Sequence, residues 1–135
     1  MSMQAVHDAI RGMVADTLSD IPVVYDNQDL STVPGSGRYA RVRILGNDQE
    51  QVTCGTTARF RMRGRVVIEL FEPLGQGDKS QLEQADVLRL AFLGYRIASP
   101  SIAFDPPSWT DGTRAGAFYV RSLVIPFRAD ELVTT

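Results

Sequence analysis

Seven arginines, Arg38, Arg41, Arg43, Arg59, Arg61, Arg63 and Arg65, fall between positions 38 and 65 and make up half of the fourteen basic residues of the chain. A guanidinium group is a planar fork that grips a carboxylate or a phosphate through parallel hydrogen bonds and stacks on flat groups. Lys79 is the only lysine, so this fork is nearly the only cationic chemistry present. If the two arginine-bearing segments pair as strands, much of the charge shares one sheet face, and like charges side by side cost roughly a few tenths of a kcal/mol or more each. Three things could offset that cost: carboxylate neighbours on an exposed face with the long stems covering apolar surface, an acidic partner surface, or passing phosphates touched without reading bases.

The other reactive side chains form no recognisable constellation. His7, the only histidine, has no serine, cysteine or carboxylate at nucleophile-base spacing around it, so it reads as a surface or partly buried side chain. Cys54, the only cysteine, can make no internal disulfide and, with one histidine, no ordinary zinc set. Its place in a β-like stretch predicts a buried small hydrophobe. The acidic pairs Asp48/Glu50, Glu69/Glu72, Asp26/Asp29 and Asp130/Glu131 read as solvated faces, because nothing in their spacing makes them converge. Gly75-Gln76-Gly77-Asp78-Lys79-Ser80 has the glycines and Lys-Ser of a phosphate loop but lacks its four-residue spacer, and reads as a loop feeding a helix cap. No catalytic residue, cofactor site or metal site is predicted. A net charge of -2 and a pI near 5.3 leave no global positive field for nucleic acid, so such contact needs a local patch.

The elements that carry these residues follow from periodicity. Val6, Ile10, Met13, Val14 and Leu18 predict an amphipathic helix over 3–19, with Ser2 as N-cap, Asp8, Arg11 and Asp16 facing water, and an end near Asp20 before Pro22. Val23-Val24-Tyr25 is a short strand, and 26–37 is a turn-rich surface loop. From Arg38 to Leu45, Tyr39, Arg41 and Arg43 alternate with Ala40, Val42 and Ile44 as in a half-buried strand. Gly46-Asn47-Asp48 reads as a turn before a second β-like piece, Gln51 to Cys54. Ala58 to Phe71 alternates most strongly, with Gly64 marking a bulge or bend and Pro73 closing the strand.

A second helix over 78–93 has a possible capping box, either Asp78 with Gln81 or Ser80 with Glu83, and a stop at Gly94. Leu82, Ala85, Leu88 and Phe92 make one face, which Val87, Leu90, Ala91 and Leu93 widen enough to imply burial on most sides. Short β pieces follow to Ala103, then breakers at 105–108, a turn at 110–113 and a final strand in which Pro126 marks an edge or a terminus. The order of elements predicts an α+β fold: an antiparallel or mixed β-sheet with two helices packed on it, in one domain over 1–135. The absence of a signal-like start or a long apolar run predicts a soluble chain with no membrane contact.

Tyr25-Asp26-Asn27, Pro34, Gly37-Arg38-Tyr39-Ala40-Arg41-Val42, Val52-Thr53-Cys54-Gly55 and the run from Arg63 through Phe71-Glu72-Pro73-Leu74-Gly75-Gln76-Gly77 resemble, in order and spacing, the tail-terminator proteins of long-tailed phages and phage-like gene-transfer particles. Ala85-Asp86, Phe92, Gly116, Val124-Ile125-Pro126-Phe127 and Asp130-Glu131 continue the likeness to nearly the whole chain. The resemblance implies a virion protein, made in the bacterial host cytoplasm, that forms a homo-oligomeric ring, typically a hexamer, on the last ring of the tail tube. It implies three kinds of partner: the tail-tube protein, a head-completion or connector protein, and DNA passing transiently and non-specifically through the lumen. It names no catalytic residue.

Residues alone keep rivals open: another head-tail connector such as a stopper or adaptor, a minor tail protein, a nucleic-acid module using the arginine face, or a small enzyme or ligand-binding domain using Asp86, Asp105 or His7. On the tail-terminator reading, the loop 46–57 and Arg41, Arg43, Arg59, Arg61, Arg63 and Arg65 are the expected intersubunit or lumen-facing surface.

Overall fold

A computed structural model describes residues 3–19, 21–25, 37–75, 77–98 and 100–134. Ser2, Asp20, Asp26, Asp29 and the loop 26–36 lie outside them. The elements run α1 (Met3–Thr17), β1 (Val23–Val24), β2 (Tyr39–Gln51), β3 (Thr57–Pro73), α2 (Lys79–Phe92), β4 (Arg96–Ile97), β5 (Ser101–Phe104), β6 (Ser108–Trp109), β7 (Thr113–Ala115) and β8 (Phe118–Thr134). Among the described residues, eight strands form one mixed sheet in the order β1-β2-β3-β8-β5-β4, with β6 and β7 also pairing β8. β1 is parallel to β2, and every other pairing is antiparallel. The expected α+β fold, a mixed sheet with two helices, is what forms.

Both helices lie on one face of the sheet. Val6, Ile10, Val14 and Leu18, each four residues from the next, bury one stripe of α1 against Ala40, Val42, Ile44, Val66, Ile68, Leu70, Leu123, Ile125 and Phe127. From α2 come Ala85, Leu88 and Phe92, whose ring meets Phe104 edge-on at 5.0 Å between centroids. The fourth buried position of α2 is a glutamine. Gln81, fully buried, donates through Nε2 to the carbonyls of Leu70 and Tyr119 at 2.8 and 3.0 Å and accepts from Arg121 Nε at 3.4 Å. The capping box expected of Asp78 and Gln81 therefore does not form. Asp78 is the N-cap without a side-chain cap bond, and its carboxylate lies 3.6 Å from Arg121 instead. Replacing Gln81 with leucine leaves two carbonyls and a guanidinium short of a partner in a dry site, and should lower stability by about 2–3 kcal/mol in urea titration.

Two readings of local breakers are corrected. Gly46-Asn47-Asp48 is not a turn: β2 continues to Gln51, and the register steps between Gly46 and Asp48, a bulge that β3 holds in place by pairing on either side. Pro126 is not at an edge or terminus either, since β8 runs through it to Thr134 beside β3. A proline is tolerated there because the outer ladder is broken at that point. β6 pairs Leu123 and Val124, β5 pairs Phe127 to Asp130, and between them only the Asp105 N–H reaches β8, donating to the Pro126 carbonyl at 2.8 Å. Gly46 pairs with Gly64, whose partner in β8 is Phe127, so Pro126 lies one residue from the line that they define across β2, β3 and β8. A shallow concavity lined by Leu45, Gly46, Gly64, Arg65, Val124 and Pro126 lies along it.

Candidate functional site

The face of the sheet away from the helices carries the arginines. Register places Tyr39, Arg41, Arg43 and Leu45 of β2 opposite Phe71, Glu69, Val67 and Arg65 of β3, all of opposite parity to the core residues. The bulge then brings Asp48 and Glu50 opposite Arg63 and Arg61. On the other side of β3, Arg59, Arg61, Arg63 and Arg65 oppose Leu132, Asp130, Arg128 and Pro126 of β8. All six candidate residues, Arg41, Arg43, Arg59, Arg61, Arg63 and Arg65, therefore share one face, and no described element covers it. At one end, Tyr39 stacks on Phe71 at 4.4 Å and both meet the edge of Phe118.

The offset that the sequence demands is supplied in part from within the chain. Arg61 grips Asp130 with two hydrogen bonds, Nε to Oδ1 at 2.8 Å and Nη2 to Oδ2 at 3.1 Å. Arg63 donates to Glu50 Oε1 at 3.0 Å, and Arg38 lies 3.7 Å from Glu72. Arg43 Nε and Glu69 Oε1 approach to 3.4 Å as an ion pair without completing a hydrogen bond, although both atoms are buried. Arg128, directly opposite Arg63, is balanced by Asp105 at 2.9 Å. Arg41, Arg59 and Arg65 differ: they are exposed and make no ion pair within 4 Å among the described residues, although Arg41 stands across the strands from Glu69 and the charge of Arg59 reaches Asp130. The site divides into arginines held in close ion pairs and three that make none among the described residues.

Exposed apolar side chains accompany two of those three. Arg59 pairs across β8 with Leu132, 66% exposed, and its carbonyl accepts from the Val52 N–H in the hairpin tip. Arg65 pairs across β2 with the exposed Leu45.

Other expectations change with the geometry. Cys54 is exposed in the hairpin tip, not buried, because β2 stops at Gln51 and the tip at 52–56 turns through Gly55 with φ of 119°. Leu82 leaves the buried face of α2 to Gln81, and Leu82, Val87, Leu90 and Leu93 are exposed. Within one copy α2 is thus buried along a single narrow stripe and not on most sides. Glu72, expected on a solvated face, is buried at the end of β3.

Two carboxyl groups respond to these surroundings in opposite directions. Burial pushes the Glu72 carboxyl up, and the Arg38 guanidinium draws it only part of the way back. The hydrogen bonds from Arg61 hold Asp130 below the ordinary range against its own burial. The Asp130 contribution is present above the unfolded value of about 3.9 and lost as pH falls through the folded one. The Glu72 contribution is complete below the unfolded value of about 4.3 and lost as pH rises through the folded one. Glu72→Gln should therefore gain stability relative to the parent between about pH 4 and pH 7. Thermal melts across that interval check it, and a constant difference in melting temperature would contradict it.

Comparison with known proteins bears on what such a surface serves. The family model described as phage tail terminator protein matches residues 5–105. The chain belongs to that family. A tail terminator is a structural protein of the phage virion tail, with tail and head proteins as its neighbours. No curated protein matches the chain. Twenty chains of solved structures match it. One of these, from a protein without a descriptive name, superposes with a TM-score of 0.58 at 20% identity, covers 91% of this chain and 94% of its own length, and shows the shared fold.

Proposed function

We propose that this tail terminator acts as a closed ring, a hexamer, seated on the last ring of the tail tube. There it stops tube growth and presents a surface to the head-completion or connector protein of a phage or gene-transfer particle. DNA passes through its lumen. The observation that carries the reading is the family match over residues 5–105. Geometry supports it: the surfaces left exposed on the two layers are unlike one another, as a head-to-tail ring requires. No bond is made or broken and no cofactor takes part; the protein works by fitting in place.

Mass in solution together with electron micrographs tests the ring, which should show a hole wide enough for a duplex. Mixing with purified tail-tube protein tests the role, since a terminator caps tubes at limited length, whereas a stopper or adaptor leaves them growing and binds the portal side. Titration with duplex DNA at several salt concentrations tests the arginine face as a nucleic-acid module: steep salt dependence would favour that module and a flat response the terminator.

A further inference from the structure

We propose that copies of this chain join head to tail, the outer surface of α1 and α2 of one copy seating on the Arg41-Arg59-Arg65 face of the next. The inference rests on the ring reading and names the two surfaces that would make each contact.

The chain is electrically two-sided. The sheet face offers three exposed arginines that make no ion pair within 4 Å, and the helix layer offers Asp8, Asp16 and Glu83, exposed and likewise without an ion pair within 4 Å among the described residues. Two of the cations that share that layer are engaged, Arg11 over the Tyr25 ring at 5.4 Å and Arg89 at 3.9 Å from Asp86, which leaves Lys79 at the start of α2 as its one exposed cation without an ion pair among the described residues. Apolar groups match as the charges do. On the sheet side stand Leu45, Val52 and Leu132, and on the helix side Leu82, Val87, Leu90 and Leu93, from 38% to 66% exposed. A shallow groove of about 570 Å³ between α1 and the end of α2 has Ala9, Met13, Ala91, Tyr95 and Ile97 inside and Asp8 and Asp16 on its rim. Its composition suits an arginine stem with a leucine beside it, which is what Arg59 with Leu132 presents.

A second copy is favoured over other occupants because it satisfies both surfaces at once. Duplex DNA would account for the arginines, yet it would leave the acidic, leucine-bearing helix layer unexplained, and that layer repels phosphate. The two surfaces lie on opposite layers of the subunit, so the contact is heterologous, and repetition gives a ring where the rotation closes. Arg61 and Arg63 are excluded as test positions because they hold Asp130 and Glu50 of their own chain.

The full chain and two charge-reversed variants, R41E/R59E/R65E and D8R/D16R/E83R, would be compared by native mass spectrometry and light scattering, with melting curves to verify folding. Each variant alone should dissociate to monomers, its association weakened by at least about tenfold, because like charges then face each other. An equimolar mixture should reassemble with the two variants alternating around an even-numbered ring. Either variant assembling like the parent, or two folded variants failing to reassemble when mixed, overturns the surface assignment while the ring reading stands. A parent chain that stays monomeric alone and on tail-tube ends overturns the ring reading itself. A triple-glutamate variant that assembles normally but loses duplex DNA gives the face to nucleic acid and overturns the proposal. Should a triple variant melt early, Leu90→Asp and Leu132→Asp, one exposed residue on each surface, replace it in the dissociation measurement alone; each is expected to weaken association, and assembly like the parent overturns the assignment.

Discussion

Truncating Phe92 to alanine should destabilise the chain by about 4 kcal/mol, the largest single loss expected outside a backbone break. Phe92 is fully buried at the last turn of α2, against the edge of Phe104, whose ring is in turn 6.4 Å from Phe127. The loss comprises both the transfer of the ring to water and the cavity left behind. Urea unfolding should show a lower midpoint with an unchanged slope. Leu90→Ala, two residues earlier on the exposed side and 62% exposed, should alter monomer stability by less than about 0.5 kcal/mol. A small effect at Phe92, or a large one at Leu90, would contradict the side of α2 assigned to the core.

Placing a methyl group on Gly64 should cost about 3 kcal/mol and lower the melting temperature by about 10 °C. An added Cβ would stand 2.5 Å from the Leu45 carbonyl oxygen and 2.7 Å from the Phe127 ring. The ring can rotate away, but the carbonyl belongs to the neighbouring strand and can retreat only if the β2–β3 ladder opens. Gly64 is therefore needed for close approach of backbone and ring. Its own strand keeps register, and the bulge lies opposite it in β2. Gly12→Ala makes the contrasting control: nothing lies within 4 Å of its added carbon on α1, and the gain in helix propensity should raise stability by up to about 1 kcal/mol. Differential scanning calorimetry of both variants would check the pair.

What the sequence discloses of this fold follows from how far each signal reaches along the chain. The alternation of Phe60, Met62, Val66, Ile68 and Leu70 with four arginines is complete within a dozen residues, and β3 forms as that alternation requires. The four-residue spacing of Val6, Ile10, Val14 and Leu18 is as local, and α1 forms. Gly46 and Pro126 mislead because each breaks a strand locally, while the pairing that carries β2 and β8 past them comes from residues many positions away. Gln81 is missed because a polar residue near a helix start reads as a cap, and only the Leu70 and Tyr119 carbonyls beneath it show otherwise.

The candidate site divides in the same way. Its seven arginines are plain in the sequence, but which are neutralised depends on carboxylates such as Asp130, 69 residues from Arg61. No local rule separates Arg61, which that carboxylate holds by two hydrogen bonds, from Arg59 two positions before it, which makes no close ion pair.

The band of sheet that holds Gly46, Gly64 and, one residue along, Pro126 bears on the size of any assembly. Two of those residues have no side chain to brace the sheet and the third has no amide hydrogen to donate, so the ladder of the three long strands is least braced there. Arg59 and Leu132 stand on one side of this crease, Arg41 and the Tyr39 stack on the other. Under head-to-tail association, its dihedral angle sets how far each copy is turned from the last. A few degrees, summed over a circuit, separate closure at six copies from closure at five or from an open spiral.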